Sequence, residues 1–352
     1  MKTQLDKILE STEAIDISDN DNLVIFSDFH MGDGRKSDDF LHNGPLTLDV
    51  IENYYEKNNY KLILNGDIEE LQRFSLKAIC SRWHDLYTIL ERFNNRQALF
   101  KLVGNHDFDL CLLKPTPKDI PVFEALKLRY RERYLFIFHG YQASIWVHKW
   151  IRLLGNFVFR IIANPLRIKN YSVALNKMKK FKIEKRVYDF ARKKKIIAII
   201  GHTHRPLFES LSKRENLRFK IENLCIEYPT ADELRKAVLE KEIIKLKKDL
   251  QSIVCKRDEE DIISTLYNTN TDLLVPCLFN SGSTIGKSGI TCIEISQGTI
   301  GLIYWFDKNV SQKYFDFREY HLEALEDSPY YRVVLKEENL NYLLARIRLL
   351  SD

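Results

Sequence analysis

Short runs of largely apolar residues recur along this chain, and each ends in a polar cluster containing glycine. The segments "NLVIFSDFH" (22–30), "KLILNGDIEE" (61–70), "ALFKLVGNHDFD" (98–109), "YLFIFHGYQ" (134–142) and "KIIAIIGHTHRP" (195–206) share this pattern. Continuous apolar runs of such length suit strands covered on both faces. Between them, 45–57 and 75–95 carry helical patterns. Alternation of the two predicts an α/β sheet with parallel portions. In such sheets ligands bind beyond the carboxyl ends of the strands.

Those ends supply Asp28 and His30, Asp67, Asn105 with His106 and Asp107, His139, and His202 with His204. Carboxylates, imidazoles and an amide oxygen make a mixed nitrogen and oxygen donor set, which suits Mn, Fe, Zn or Co better than Ca. The donors outnumber what one ion holds, so a pair of metals bridged by a carboxylate is the economical reading. Taken alone, Asp-x-His, Gly-Asp and a single His139 are common turns or hydrogen-bonded histidines, whereas "GNHD" and "GHTH" are more specific. Five in order, each at a strand end, make a site.

The fragments "DFH" (28–30), "GDIEE" (66–70), "GNHD" (104–107), His139 and "GHTH" (201–204), with "NSGS" (280–283), resemble the calcineurin-like metallophosphoesterase superfamily. The resemblance implies a two-sheet αββα sandwich with helical insertions. It places Asp28, His30 and His204 on one divalent transition-metal ion, and Asn105, His139 and His202 on a second, with Asp67 bridging. Mn²⁺ is the first choice, with Fe, Zn or Co as alternatives. It further implies that a metal-bridging hydroxide attacks phosphorus, with His106 as the catalytic acid and Asp107 as its carboxylate partner. Glu70 stands where many members have Asp, and Tyr141 where several have His or Asp. Arg35 and Tyr141 are the candidate substrate contacts.

On this reading the phosphoesterase domain covers 20–320, and 321–352 forms a C-terminal tail without a functional assignment. Two insertions interrupt the domain. Residues 143–192 are aromatic and basic, with two or three helices expected and a break near Asn164–Pro165. From 146 to 195, fifteen Lys and Arg stand against Glu184 and Asp189 alone, in a chain whose net charge is only +5. Helices packed on the core sheet are one explanation. A cap for a large anionic or amphiphilic substrate, a peripheral membrane contact, or a nucleic-acid surface are the others. UDP-2,3-diacylglucosamine pyrophosphate hydrolases look similar here, sharing "GHTHRP" and a helical insertion.

The second insertion, 209–272, has a capping-box spacing at Thr230 and Glu233. A helical seam of Leu239, Ile243, Leu246, Leu250 and Ile253 follows. Beyond it, 289–296 and 299–306 predict a hairpin turning at Gln297–Gly298 and completing a second sheet.

An apolar fraction of 45% supports a sizeable core. Cys80, Cys111, Cys225, Cys255, Cys277 and Cys292 form no CxxC pair and read as reduced thiols. Neither a secretory signal nor an apolar span of membrane length is visible, so a cytoplasmic protein is expected. The function expected is hydrolysis of a phosphoester or pyrophosphate bond in a phosphorylated small molecule or lipid-linked compound. The alternatives are a nuclease or serine/threonine phosphoprotein phosphatase using the same metals, or a noncatalytic interaction module.

Overall fold

The computed structural model describes residues 2–112, 116–144, 177–210, 224–254, 274–312 and 321–351, with 217, 221–222 and 314–315 besides. Two sheets form its centre. The larger is built from β2 (Leu23–Phe26), β3 (Lys61–Asn65), β4 (Leu99–Leu102), β5 (Val122–Phe123), β10 (Ile290–Ser296), β11 (Thr299–Asp307), β12 (Leu322–Ala324) and β13 (Tyr330–Asn339). Its strand order is β12-β13-β11-β10-β2-β3-β4-β5, parallel from β2 to β5 and antiparallel elsewhere. The smaller runs β1 (Ala14–Ile17), β6 (Ala125–Tyr130), β7 (Arg133–Phe138), β8 (Ile197–Ile200) and β9 (Leu278–Asn280), with β7, β8 and β9 parallel.

Period-two side-chain geometry divides the core between the two faces of the large sheet. Leu23, Ile25 and Ile63 join a cluster shared with Leu126, Leu128, Leu135 and Ile137 of the smaller sheet. Their neighbours Val24, Phe26, Leu62 and Leu64 enter a second cluster with Val50, Tyr55, Leu86, Leu90 and Phe93 of the outer helices. Helices therefore cover a pair of stacked sheets, the two-sheet α/β sandwich expected from the sequence.

Helix ends follow local chemistry. Ser75 caps Leu76–Arg82 by accepting from the Ala78 N–H, and Asn339 caps Leu340–Leu350 through the N–H groups of Asn341 and Tyr342. The helical pattern at 45–57 becomes an α-helical start, Gly44–Asp49, widening into a π-helical Val50–Glu56. The pattern at 75–95 becomes two helices, Leu76–Arg82 and His84–Asn95, broken at Trp83.

Several expectations are corrected. The strand-end clusters do not belong to one sheet: β2, β3 and β4 lie in the larger, β7 and β8 in the smaller. The hairpin forms at Gln297–Gly298, both at positive φ (50° and 71°). It joins the sheet of β2 through the Ile293–Ile25 pairing, and so does not complete a second sheet. Asp232, not Thr230, caps Glu233–Val254, because Asp232 Oδ1 accepts from the Arg235 N–H. Thr230 belongs to a preceding 3₁₀ turn and donates to the Glu227 carbonyl. Within that helix Leu239 and Leu246 are buried.

Residues 321–351 are integral to the fold. β13 pairs with β11 from Tyr330 to Asn339, and Leu340, Leu343, Leu344 and Ile347 fill the inner core. Of the basic insertion, the described part is the helix Lys177–Lys194, whose Ile183, Val187, Tyr188, Phe190 and Ala191 pack into the cluster shared with the smaller sheet. Packing on the core explains that helix. Positions 145–176 and 255–273, with the break expected at Asn164–Pro165, lie outside the described residues.

Candidate metal centre

The loops that follow β2, β3, β4, β7 and β8 meet where the two sheets approach each other. Asp28 N–H donates to the Gly66 carbonyl and His30 N–H to the Asp67 carbonyl, at 3.1 and 3.0 Å, which locks the first two loops together. Gly201 N–H donates to the His139 carbonyl at 2.9 Å, joining the loops of the smaller sheet. Asp28 then crosses between sheets, its carboxylate accepting the His202 N–H at 3.0 Å.

The backbone is strained at this meeting point. Asp28, His30, Asp67, His202 and His204 all have φ between 50° and 63°. Non-glycine residues held there cost of order 1–3 kcal/mol each and cluster where function requires them. Glycines make room for the approach. A Cβ on Gly104 would stand 2.1 Å from Asp67 Oδ1, and one on Gly201 2.7 Å from Asp28 Oδ2.

Side-chain atoms converge accordingly. His30 Nε2 and His204 Nε2 are 3.1 Å apart, and His204 Nε2 is 3.1 Å from Asp28 Oδ1. Asp67 Oδ2 lies 2.9 Å from His139 Nε2 and 3.9 Å from His30 Nε2, between two histidine groups. Three groups could hold a metal ion: Asp28–His30–His204, Asp67–His139–His202, and His30–Glu70–His106, with ligand atoms within 4.8 Å of one another in each.

Hydrogen bonding on the far side of each ring tests whether these residues fit a cation. His139 Nδ1 faces the Asn65 carbonyl at 2.7 Å and must carry a hydrogen to bond it. Nε2 then points its remaining valence at the site, where it takes no hydrogen bond although Asp67 Oδ2 is so near. Only a positive charge, a proton or a metal ion, reconciles a ring nitrogen with a carboxylate there. His30 repeats the arrangement, with Nδ1 on Glu70 Oε2 at 3.1 Å. Asn105 Oδ1 is buried without a partner as well. A buried ring nitrogen beside the Asp67 and Asp28 carboxylates, at 2.9 and 3.9 Å, and a buried amide oxygen without a partner are groups that a divalent ion could use.

Electrostatics agree. Burial alone would lower His139, yet Asp67 and Asp28 outweigh it and raise the ring to about 9. Burial, reinforced by the charge on His139, pushes His202 down to about 3, and burial also lowers His204. Asp67 is held well below the usual carboxylate range: burial opposes this, but His139 and His106 prevail. The pocket traps positive charge and keeps two of its imidazoles neutral.

His106 is mostly buried, 14% exposed, with its ring edge-on to His30, but Asp107 is not its partner. His106 Nδ1 bonds Glu70 Oε1 at 2.8 Å, while the fully buried Asp107 accepts the N–H groups of Gly104 and Ile68 at 2.6 and 2.7 Å. Sequence adjacency cannot put the Asp107 carboxylate on the neighbouring ring, because consecutive side chains leave the turn in different directions. Glu70 bonds both His30 and His106, one oxygen each, and Arg73 leans on it at 3.4 Å. The sequence signal for Glu70 was its place in "GDIEE". Burial lowers His106, but Glu70 and Asp67 raise it further, to about 9.

The two expected substrate contacts fare differently. The Arg35 side chain is 84% exposed and pairs loosely with Asp33 at 3.4 Å. Tyr141 is buried, its ring edge-on to Phe108 and 6.0 Å from that of His139.

Among the described residues no helix is long and apolar enough to cross a membrane. No protein-family model and no curated protein matches the chain. Among solved structures it is similar to a single mutant of Vps29 from Entamoeba histolytica, with a TM-score of 0.35 and 11% identity over 90% of this chain and 99% of that one. A likeness at that level adds nothing to what the chain's own geometry shows.

Proposed function

We propose that this chain is a metal-dependent hydrolase of phosphoester or pyrophosphate bonds, acting on a phosphorylated small molecule or lipid-linked phosphate. One observation supports it most. Donor groups from five strand ends of two sheets face each other, and the ring nitrogens of His30 and His139 are turned by their hydrogen bonds toward carboxylate oxygens. Asp28, His30 and His204 would hold one ion, and Asn105, His139 and His202 the other, with Asp67 between them. Bound divalent ions supply Lewis-acid polarisation of the phosphate and a reactive water at neutral pH.

The chain itself contributes position and a proton. Asp67 Oδ1 is held by the His106 N–H at 2.8 Å, which leaves Oδ2 turned to the histidines. With Nδ1 on Glu70, His106 keeps Nε2 for the substrate and can pass a proton to the departing oxygen.

The test is a chelator-stripped protein reloaded with Mn²⁺, Fe²⁺, Co²⁺ or Zn²⁺ and offered phosphomonoesters, phosphodiesters, nucleotide pyrophosphates, DNA and phosphopeptides. Hydrolysis restored by an ion, and lost in Asp67→Asn, is the expected result. Undiminished hydrolysis by the stripped protein would refute the proposal. A preference for DNA or phosphopeptide would reassign the substrate and leave the chemistry standing.

A further inference from the structure

Between 146 and 195, where fifteen basic residues surround Glu184 and Asp189, the two acids have opposite fates. Asp189 is a surface partner of Lys185, its side chain 52% exposed. Glu184 is completely buried. A buried carboxylate is costly unless fully hydrogen-bonded, so its partners carry information.

Those partners lie in the loop that bears two of the proposed ligands. Glu184 Oε1 accepts from Thr203 Oγ1 at 2.7 Å and from Arg205 Nε at 3.3 Å, and Oε2 takes a close ion pair with Arg205 Nη2. Thr203 is also completely buried. Having given its hydrogen to Glu184, its hydroxyl accepts from Asn280 Nδ2 at 2.9 Å. Asn280 binds the Gly201 carbonyl with the same amide and the Gly282 N–H with its oxygen. Thr203 thus sits in a directional relay between a helix of the insertion and the end of β9. Its chain neighbours are His202 and His204, at φ 63° and 53°. Such a conformation persists only where surrounding contacts over-determine it.

We propose that Glu184 is a positioning residue, which holds His202 and His204 in their strained, cation-facing conformation through Thr203 and Arg205. The inference rests on the metal reading given above. It ties the helix Lys177–Lys194 of the basic insertion to the metal-binding loop. It also explains why an acid persists in that stretch. Outer partners of metal-binding residues are worth about ten- to hundred-fold in affinity.

The experiment titrates Mn²⁺ into chelator-stripped full-length protein by isothermal titration calorimetry, with the unfolding midpoint measured on the same samples. Thr203→Val removes the hydroxyl at constant shape and leaves Glu184 paired with Arg205. Glu184→Gln removes the charge. Each is expected to weaken Mn²⁺ binding about ten-fold or more at one or both sites, since His202 and His204 serve different ions. Thr203→Ser, which keeps the hydroxyl, restores the affinity. The double variant is expected to be no weaker than the worse single one, because both break the same link.

Folded Thr203→Val protein with both Mn²⁺ affinities unchanged overturns the proposal, as does a double variant whose losses multiply. A lowered unfolding midpoint with intact Mn²⁺ binding also overturns it, since Glu184 would then be merely structural. Should Glu184→Gln fail to fold, the comparison of Thr203→Val with Thr203→Ser decides alone. Wild-type protein that takes up no Mn²⁺ overturns the metal reading and this proposal together, whereas wild-type uptake with unaffected variants sinks only the latter.

Discussion

Replacing Glu70 by Gln distinguishes the partner of His106 seen in the structure from the one its sequence neighbourhood suggests. Glu70 offers one oxygen to His106 Nδ1 at 2.8 Å and the other to His30 Nδ1 at 3.1 Å. Both rings need an acceptor there if their Nε2 atoms are to face the site. Gln supplies one oxygen and one NH₂, so one ring must lose its bond or reverse its tautomer. A hydrogen bond to a charged group is worth about 1.5–3 kcal/mol, which corresponds to roughly ten- to hundred-fold in rate or metal affinity. Arg73 is not stranded, because it keeps Asp39 and the Ser37 carbonyl.

Asp107→Asn is the counterpart. Its carboxylate accepts two backbone N–H groups, and an amide in its place leaves one buried donor facing another. The cost, about 1–3 kcal/mol, falls on unfolding free energy. The assay measures kcat/KM on bis(p-nitrophenyl) phosphate with saturating Mn²⁺, beside urea unfolding of the stripped proteins. Glu70→Gln should lose activity with little change in stability, and Asp107→Asn should lose stability first. The reverse pattern, or Glu70→Gln within about two-fold of wild type where a charged hydrogen bond predicts ten-fold or more, would refute the assignment.

Three further outcomes are expected. Since Asp67 and Asp28 overcome burial to raise His139 to about 9, the ring carries a proton at neutral pH that a metal ion must displace. Mn²⁺ uptake should therefore release protons, and apparent affinity should climb with pH and level off near 9. Calorimetry in two buffers of different ionisation enthalpy would show the same heat if this were wrong. Gly104→Ala puts a methyl 2.1 Å from Asp67 Oδ1 and should abolish tight Mn²⁺ binding while the chain stays folded, whereas retained binding would mean the loop yields easily. Lys101 and Glu69, 2% and 0% exposed, form a close buried pair with Tyr87 on the same carboxylate. Lys101→Met alone should cost about 3–5 kcal/mol of unfolding free energy by stranding Glu69, and Lys101→Met/Glu69→Leu should recover most of it. A double variant as unstable as the single would refute that account.

Much of the fold could be read locally. Runs such as Leu23–Phe26 and Ile197–Ile200 are buried at every position, so an apolar stretch ending in Gly, Asp or His marks both the strand and the place where it stops. Gln297–Gly298 announces its hairpin because Gly298 takes positive φ without steric cost in a two-residue turn. The candidate metal ligands could be read for the same reason, since each of them lies within a few positions of a strand end. Glu184 could not be read. Its neighbours in sequence are all lysine, arginine or apolar, and its partners Thr203 and Arg205 are remote in the chain.

What the sequence determined by itself is therefore short-range: which segments are strands or helices, where they end, and which polar groups those ends deliver. Side-chain period, turn preference and burial drive act over a few residues and leave their mark in the string. Only the tertiary structure decided that β7 and β8 enter a different sheet from β2, β3 and β4, that the hairpin joins β2, and that His106 turns to Glu70. Those choices depend on which distant surfaces pack together and on the direction in which each side chain leaves its loop, and neither is encoded by neighbouring residues.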